Sequence, residues 1–92
     1  VVIAYEPVWA IGTGENATVG QAAEIHSLIR EIVAEKFKEN KTQPLTILYG
    51  GSVTSQNSRD LLQNDEIDGT LVGGASLNIN SFCDIIKSAQ LV

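Results

Sequence analysis

Apolar residues along the chain fall into two kinds of pattern that alternate. Val1-Val2-Ile3-Ala4-Tyr5 and Leu45-Thr46-Ile47-Leu48-Tyr49 are short, nearly continuous runs rich in β-branched residues, as expected of parallel strands covered on both faces. Thr70-Leu71-Val72 predicts a third, shorter strand. Between the first two runs, Ala22, Ile25, Ile29, Ile32, Val33 and Phe37 recur at helical spacing, with Glu24, Glu31, Glu35 and Lys38 on the other side. Thr18 and Gln21 have capping-box spacing, so this helix should start after Thr18 and run to about Lys38. Pro44 bars any continuation. A shorter helix is expected near residues 55–63, anchored by Leu61 and Leu62. A last one, near 81–89, should bury Phe82, Ile85 and Ile86 behind an Asn80 N-cap.

The order is strand, helix, three times over, which predicts an α/β fold with a parallel sheet. No Pro/Gly/Ser linker divides the chain, so residues 1–92 read as one domain. Composition narrows the picture. An apolar content of 43% excludes a disordered chain, and no apolar run is long enough for a membrane helix. Six Lys and Arg against eleven Asp and Glu, net −5, argue against nucleic acid or an anionic membrane as partner. A single cysteine, Cys83, and no secretory signal point to a cytoplasmic protein. Cys83 is expected to be a packed thiol, and nothing suggests a metal or cofactor. The chain opens inside a buried strand without Met, so Val1 reads as a cut point.

Candidate chemistry lies where the strands end. Six of the eight glycines (Gly12, Gly14, Gly50, Gly51, Gly73, Gly74) fall just past a strand's carboxyl end. In a parallel sheet those ends share one rim, where ligands bind. Glycine lets backbone N–H groups approach an anion and adopt a positive φ, and helix N-termini add positive potential. The alternative is that the glycines only permit tight turns. Glu6, held extended by Pro7, should project at the same rim. A carboxylate repels an anion, but it makes sense as a general base for a substrate that carries one. The plain alternative is a solvated or ion-paired carboxylate. Residues 7–17 form a long loop with Trp9, Ala10 and Ile11 at its centre, either a lid that closes over ligand or a surface loop docked by its Trp.

These segments match a known family. Ala4-Tyr5-Glu6-Pro7-Val8-Trp9-Ala10-Ile11-Gly12-Thr13-Gly14 closely resembles the sixth strand and flexible loop of the triosephosphate isomerases. Tyr49-Gly50-Gly51-Ser52-Val53 resembles their seventh strand-loop, and Asp68-Gly69-Thr70-Leu71-Val72-Gly73-Gly74-Ala75-Ser76-Leu77 their eighth. The resemblance implies the C-terminal three βα units of a (β/α)8 TIM barrel, with the N-terminal part missing. It implies that Glu6 moves a proton between adjacent carbons of dihydroxyacetone phosphate and glyceraldehyde 3-phosphate, in glycolysis and gluconeogenesis. It further implies that amides of Gly12, Ser52, Gly73 and Gly74 hold the phosphate, and that Tyr49 and Ser52 latch the closed loop near Gly14 and Ala17. Arg30 and Glu66 look like a structural ion pair. Two positions depart from the family: Glu15 stands where Lys is frequent, and Val19 where Pro is frequent. Altered loop kinetics, not lost chemistry, is the expected consequence.

The resemblance also marks what these residues lack. No Lys or Arg occurs in residues 1–29, and none falls in the other strand-end loops. His26 is expected on the flank or surface of the first helix, too far from the rim to polarise a carbonyl. In the family the catalytic His and Lys, a neighbouring Asn and the dimer loop come from the first half of the barrel, and the whole enzyme is a homodimer. Stabilising the developing enolate is commonly the largest catalytic term, and these residues do not provide it. Two expectations result: a piece of an isomerase that works with the rest of its barrel, or, alone, a catalytically inactive folding or phosphate-binding fragment. Alone it should be marginally stable, because open sheet edges lack partners. Three βα units in 92 residues scale to roughly 245 for eight, near the size of about 250 usual for the barrel.

Overall fold

The computed structural model describes residues 2–7, 17–37 and 45–90. Expectations for Trp9, Gly12, Gly14, Glu15 and Lys38 lie outside these residues. The strands are β1 (Val2–Tyr5), β2 (Thr46–Tyr49) and β3 (Gly69–Thr70), parallel and in the order β1-β2-β3. The helices are α1 (Val19–Lys36), α2 (Ser58–Gln63) and α3 (Ile79–Gln90), and a single 3-10 turn, Gly74–Leu77, precedes α3.

Register explains the layering. Ile3 pairs with Ile47 and Tyr5 with Tyr49, while Ala4 pairs with Leu48 and Leu48 with Gly69. Side chains alternate faces along a strand, so Ile3, Ile47, Tyr5 and Tyr49 share one face and Ala4 and Leu48 the other. Ile47 and Tyr49 are buried, whereas Val2 and Ala4 on the opposite face are exposed. The strand runs are therefore covered on one face only, not on both. Tyr49 joins Ala17, Ala22, Val53, Leu61, Ile67 and Ile85 in the core.

α1 starts as its cap dictates. Thr18 Oγ1 accepts from Gln21 N at 3.1 Å, and Gln21 Oε1 accepts from Thr18 N at 2.9 Å. Its apolar stripe is only partly used: Ala22 is buried, while Ile32 and Phe37 are exposed. His26 overturns its expected surface position. It is fully buried, edge-on to Tyr5 at 5.8 Å and tilted against Tyr49 at 6.4 Å. A histidine one helical turn beyond Ala22 continues the buried stripe, and its polar edge is accommodated because Nδ1 meets the Glu66 carbonyl oxygen at 3.1 Å. A carbonyl can only accept, so Nδ1 carries the proton, and Nε2 has no partner among the described residues.

Arg30 ties α1 to the starts of β2 and β3. It donates to Leu45 O at 2.6 Å, Glu66 Oε2 at 3.1 Å, Glu66 O at 2.9 Å and Asp68 Oδ2 at 2.7 Å. The expected pair with Glu66 is present, and Asp68 is a second partner that also accepts from Ile47 N at 2.8 Å. Burial pushes the Asp68 carboxyl up, but Arg30 and the Ile47 amide together outweigh that and hold it below the usual carboxylate range.

Smaller corrections have local causes. α2 starts at Ser58, because Thr54 and Asn57 close a reciprocal turn just ahead of it. The third strand is Gly69–Thr70, not residues 70–72, since Leu71 already turns into the rim loop. α3 starts at Ile79, so Asn78 is its cap in place of Asn80, and Asn78 Oδ1 accepts from Ser81 N at 3.1 Å. On α3 the buried residues are Ile85 and Ser88, the latter meeting Ser58 on α2 at 2.8 Å, while Phe82 and Ile86 are exposed. Cys83 lies on that outer side and is exposed, not packed.

Candidate functional site

The parallel register aligns the first residues beyond each strand. Past Tyr5, Tyr49 and Thr70 come Glu6, Gly50 and Leu71, side by side at one rim. The ladder continues one bond past the strands: Gly50 N donates to Tyr5 O at 2.8 Å and Leu71 N to Tyr49 O at 2.9 Å. A cleft of about 520 Å³ opens there, lined by Glu6, by Gly50 to Thr54 and by Leu71 to Ala75. Six residues singled out from the sequence, Glu6, Gly50, Gly51, Ser52, Gly73 and Gly74, line this one cleft. Gly12 lies outside the described residues.

The two glycine pairs work differently. A Cβ on Gly50 would stand 2.8 Å from Glu6 Cγ and 3.4 Å from Leu71 Cδ1, so the missing side chain is what lets the carboxylate arm lie across the rim. A Cβ on Gly51 would collide with the Tyr49 ring and hydroxyl. Among the described residues, nothing lies within 4 Å of where a Cβ on Gly73 or Gly74 would stand. None of these four needs a positive φ, so the expected left-handed nest is replaced by close approach at one pair and by bare backbone at the other. Among the described residues, the N–H groups of Ser52, Gly73 and Gly74 have no hydrogen-bond acceptor. The helix-end expectation also changes: α3 starts beyond the cleft, and only the 3-10 turn begins within it.

Tyr49 does not line the cleft. Its hydroxyl accepts from Ala17 N at 3.3 Å, joining the last residue of the long loop to the second strand. Burial pushes the Tyr49 phenol up, with the Ala17 amide acting the other way. Burial likewise holds His26 below its ordinary value, outweighing the Glu66 carbonyl and the nearby carboxylates. No Lys, Arg or His lines the cleft among the described residues, and no three His, Cys, Asp or Glu side chains cluster closely enough to hold a metal.

The family model described as Triosephosphate isomerase matches residues 1–89. The chain belongs to the triosephosphate isomerase family. The triosephosphate isomerase of Chloroherpeton thalassium is 57% identical over 90 residues, which is 98% of this chain and 36% of the relative. That of Endomicrobium trichonymphae is 56% identical across 97% of this chain and 35% of its own length. That of Fusobacterium nucleatum is 52% identical across 97% and 36%. The chain thus spans about a third of the length of these curated relatives. The α/β architecture with three parallel strands accords with partial βα units of the family's barrel.

Sequence reasoning overlooked Asn57. Its Nδ2 donates to Ser52 O at 2.8 Å, its Oδ1 accepts from Thr54 N at 2.8 Å, and its own N–H donates to Thr54 Oγ1 at 3.3 Å. The signal was present, since Thr54-x-x-Asn57 repeats the spacing of a capping box one step before a helix. Leu71 was read as strand, yet it is a lining residue that packs toward the same methyl-free space as Glu6.

Proposed function

We propose that residues 1–92 are the C-terminal three βα units of a triosephosphate isomerase barrel and that they carry its general base and phosphate grip. The observation that carries this reading is one cleft lined both by Glu6 and by Ser52, Gly73 and Gly74, whose amides have no acceptor among the described residues. A carboxylate and an anion cradle side by side suit a substrate whose acidic carbon lies a few bonds from its phosphate. Glu6 takes a proton from one carbon of dihydroxyacetone phosphate and returns it to the neighbouring carbon, while a second proton passes from the C1 hydroxyl to the C2 oxygen of the enediolate, giving glyceraldehyde 3-phosphate. The amides of Ser52, Gly73 and Gly74, joined by Gly12 from the long loop, hold the phosphate so that the reacting carbons stay in place. Tyr49, through Ala17, and Ser52 fasten that loop over the substrate and exclude water.

The cleft offers no cationic or imidazole side chain among the described residues, so the group that stabilises the enediolate comes from the remaining βα units. This supports catalysis by the completed barrel and inactivity of the 92-residue chain alone. The completed enzyme is read as a cytoplasmic homodimer that needs no cofactor and takes a triose phosphate, and the net charge of −5 argues against nucleic acid and anionic membranes as partners. No helix among the described residues is long and apolar enough to cross a membrane.

The test is to join the chain to the preceding five βα units of the Chloroherpeton thalassium relative and assay isomerisation of glyceraldehyde 3-phosphate. Activity is expected, with a loss of at least about a thousandfold in kcat for Glu6→Gln. A well-folded chimera without activity, or one that Glu6→Gln leaves intact, overturns the reading.

A further inference from the structure

A trans peptide unit points its C=O and the following N–H in opposite directions. Anything that grips the carbonyl from outside a loop therefore turns the next amide inward. Two such grips occur at the cleft. Asn57 Nδ2 donates to Ser52 O at 2.8 Å, and Ser76 donates to Gly73 O twice, from Oγ at 2.6 Å and from its backbone N–H at 2.9 Å. Neither Asn57 nor Ser76 lines the cleft, whereas Ser52, Val53, Gly73 and Gly74 all do. The peptide units involved are Ser52–Val53 and Gly73–Gly74. The amides of Val53 and Gly74 have no acceptor among the described residues.

We propose that Asn57 and Ser76 are positioning residues for the anion cradle, each holding a carbonyl on the outer side of its loop so that the amide of the same peptide unit faces the bound phosphate. The inference rests on the phosphate reading above and adds Val53 N–H to the donors. Asn57 is the stronger of the two because it grips its loop at three points. Besides Ser52 O it binds Thr54 N at 2.8 Å and Thr54 Oγ1 at 3.3 Å, so the turn from Ser52 to Asn57 cannot rotate one peptide without breaking another bond. Ser76 is exposed, and its backbone N–H keeps part of the grip if the hydroxyl is removed. A loop held in this way meets the anion without first reorienting its dipoles, which is where a bare glycine backbone would otherwise lose affinity.

The experiment uses the completed barrel, with inorganic phosphate as a competitive inhibitor and with glyceraldehyde 3-phosphate and unphosphorylated glyceraldehyde as substrates. Asn57→Ala should raise the phosphate inhibition constant about tenfold and Ser76→Ala about threefold, while Ser76→Thr restores the wild-type value. The loss in kcat/KM on the phosphorylated substrate should exceed that on glyceraldehyde by the same factors, because only the former uses the cradle. Equal losses on both substrates, or unchanged phosphate inhibition, overturn the positioning role. If Asn57→Ala does not fold, the exposed Ser76→Ala and Ser76→Thr pair decides the question. A wild-type barrel that phosphate fails to inhibit removes the underlying phosphate reading, a result distinct from variants that bind phosphate as tightly as wild type.

Discussion

Gly50-Gly51 and Gly73-Gly74 look alike in sequence, each a glycine pair just past a parallel strand and followed by small residues. In the structure they are opposites. The first pair is crowded by the chain itself: Glu6 and Leu71 over Gly50, and the Tyr49 ring against Gly51. Around the second pair, no described residue comes within 4 Å of where a side chain would be. Packing therefore accounts for glycine at 50 and 51. At 73 and 74 no neighbour among the described residues does, and what remains is a bare backbone open to the cleft. The contrast separates a glycine that makes room for its own chain from one whose backbone lies open at the cleft.

The sharpest way to break this comparison is to put a methyl on one glycine of each pair in the completed barrel. Gly51→Ala forces the Tyr49 ring out of the core and should cost about 3 kcal/mol by denaturant unfolding. If it unfolds at the wild-type midpoint, the crowding is not real. Gly50→Ala comes next. Its methyl displaces Glu6 at Cγ, and with Glu6 as the base proposed above, kcat should fall about tenfold or more with stability changed much less. Equal kcat would mean that Glu6 has another route to the rim.

A pH titration sharpens the same contrast, because titratable groups lie behind the first pair. His26 packs on Tyr5 and Tyr49, with Arg30, Glu66 and Asp68 around its other edge. Its proton affinity is lowered in the folded state, so the unfolded chain binds the proton more readily. The stabilising contribution is complete above the unfolded value of 6.5 and is lost as pH falls through the lower folded value. Asp68, also lowered, adds a separate loss that begins below its ordinary 3.8. Unfolding free energy should thus decline in two stages on acidification, and His26→Gln should abolish the upper stage alone. A single stage in the wild type would contradict the buried neutral imidazole. The smallest effect belongs to Gly74→Ala, which should alter stability by no more than about 0.5 kcal/mol while raising KM for the triose phosphate. A large stability loss there would erase the distinction between the pairs.

Much of the fold was legible in local patterns. The parallel strands at Val2–Tyr5 and Thr46–Tyr49, the Thr18–Gln21 box and the Arg30–Glu66 pair all rest on residue type and spacing within a few positions or on family motifs. Glu6, Gly73 and Gly74 were named from strand ends, which a parallel sheet carries to one rim, and Ser52 from the family resemblance. Where local reasoning missed, the deciding contact came from far along the chain. His26 is buried because Tyr5, Tyr49 and the Glu66 carbonyl converge on it, although its own helix neighbours give no sign of them. Cys83, Phe82 and Ile86 are exposed because α3 turns Ile85 and Ser88 inward instead, an orientation fixed by the Ser58 hydroxyl and the buried face of α2.

By itself the sequence determined the three strand–helix units, the family and the ends of the first two strands, since these depend on short-range spacing and backbone permissiveness. Only the tertiary structure decided which glycines are crowded and which are bare, that the cleft is bounded by Leu71, Val53 and Thr54 as well as by the predicted residues, and that Asn57 and Ser76 hold its loops from behind. The physical reason is the parallel register. It sets Glu6, Gly50 and Leu71 side by side although whole strand–helix units separate them in the chain; strand patterns place such ends on one rim, but only the register fixes which residues are neighbours there.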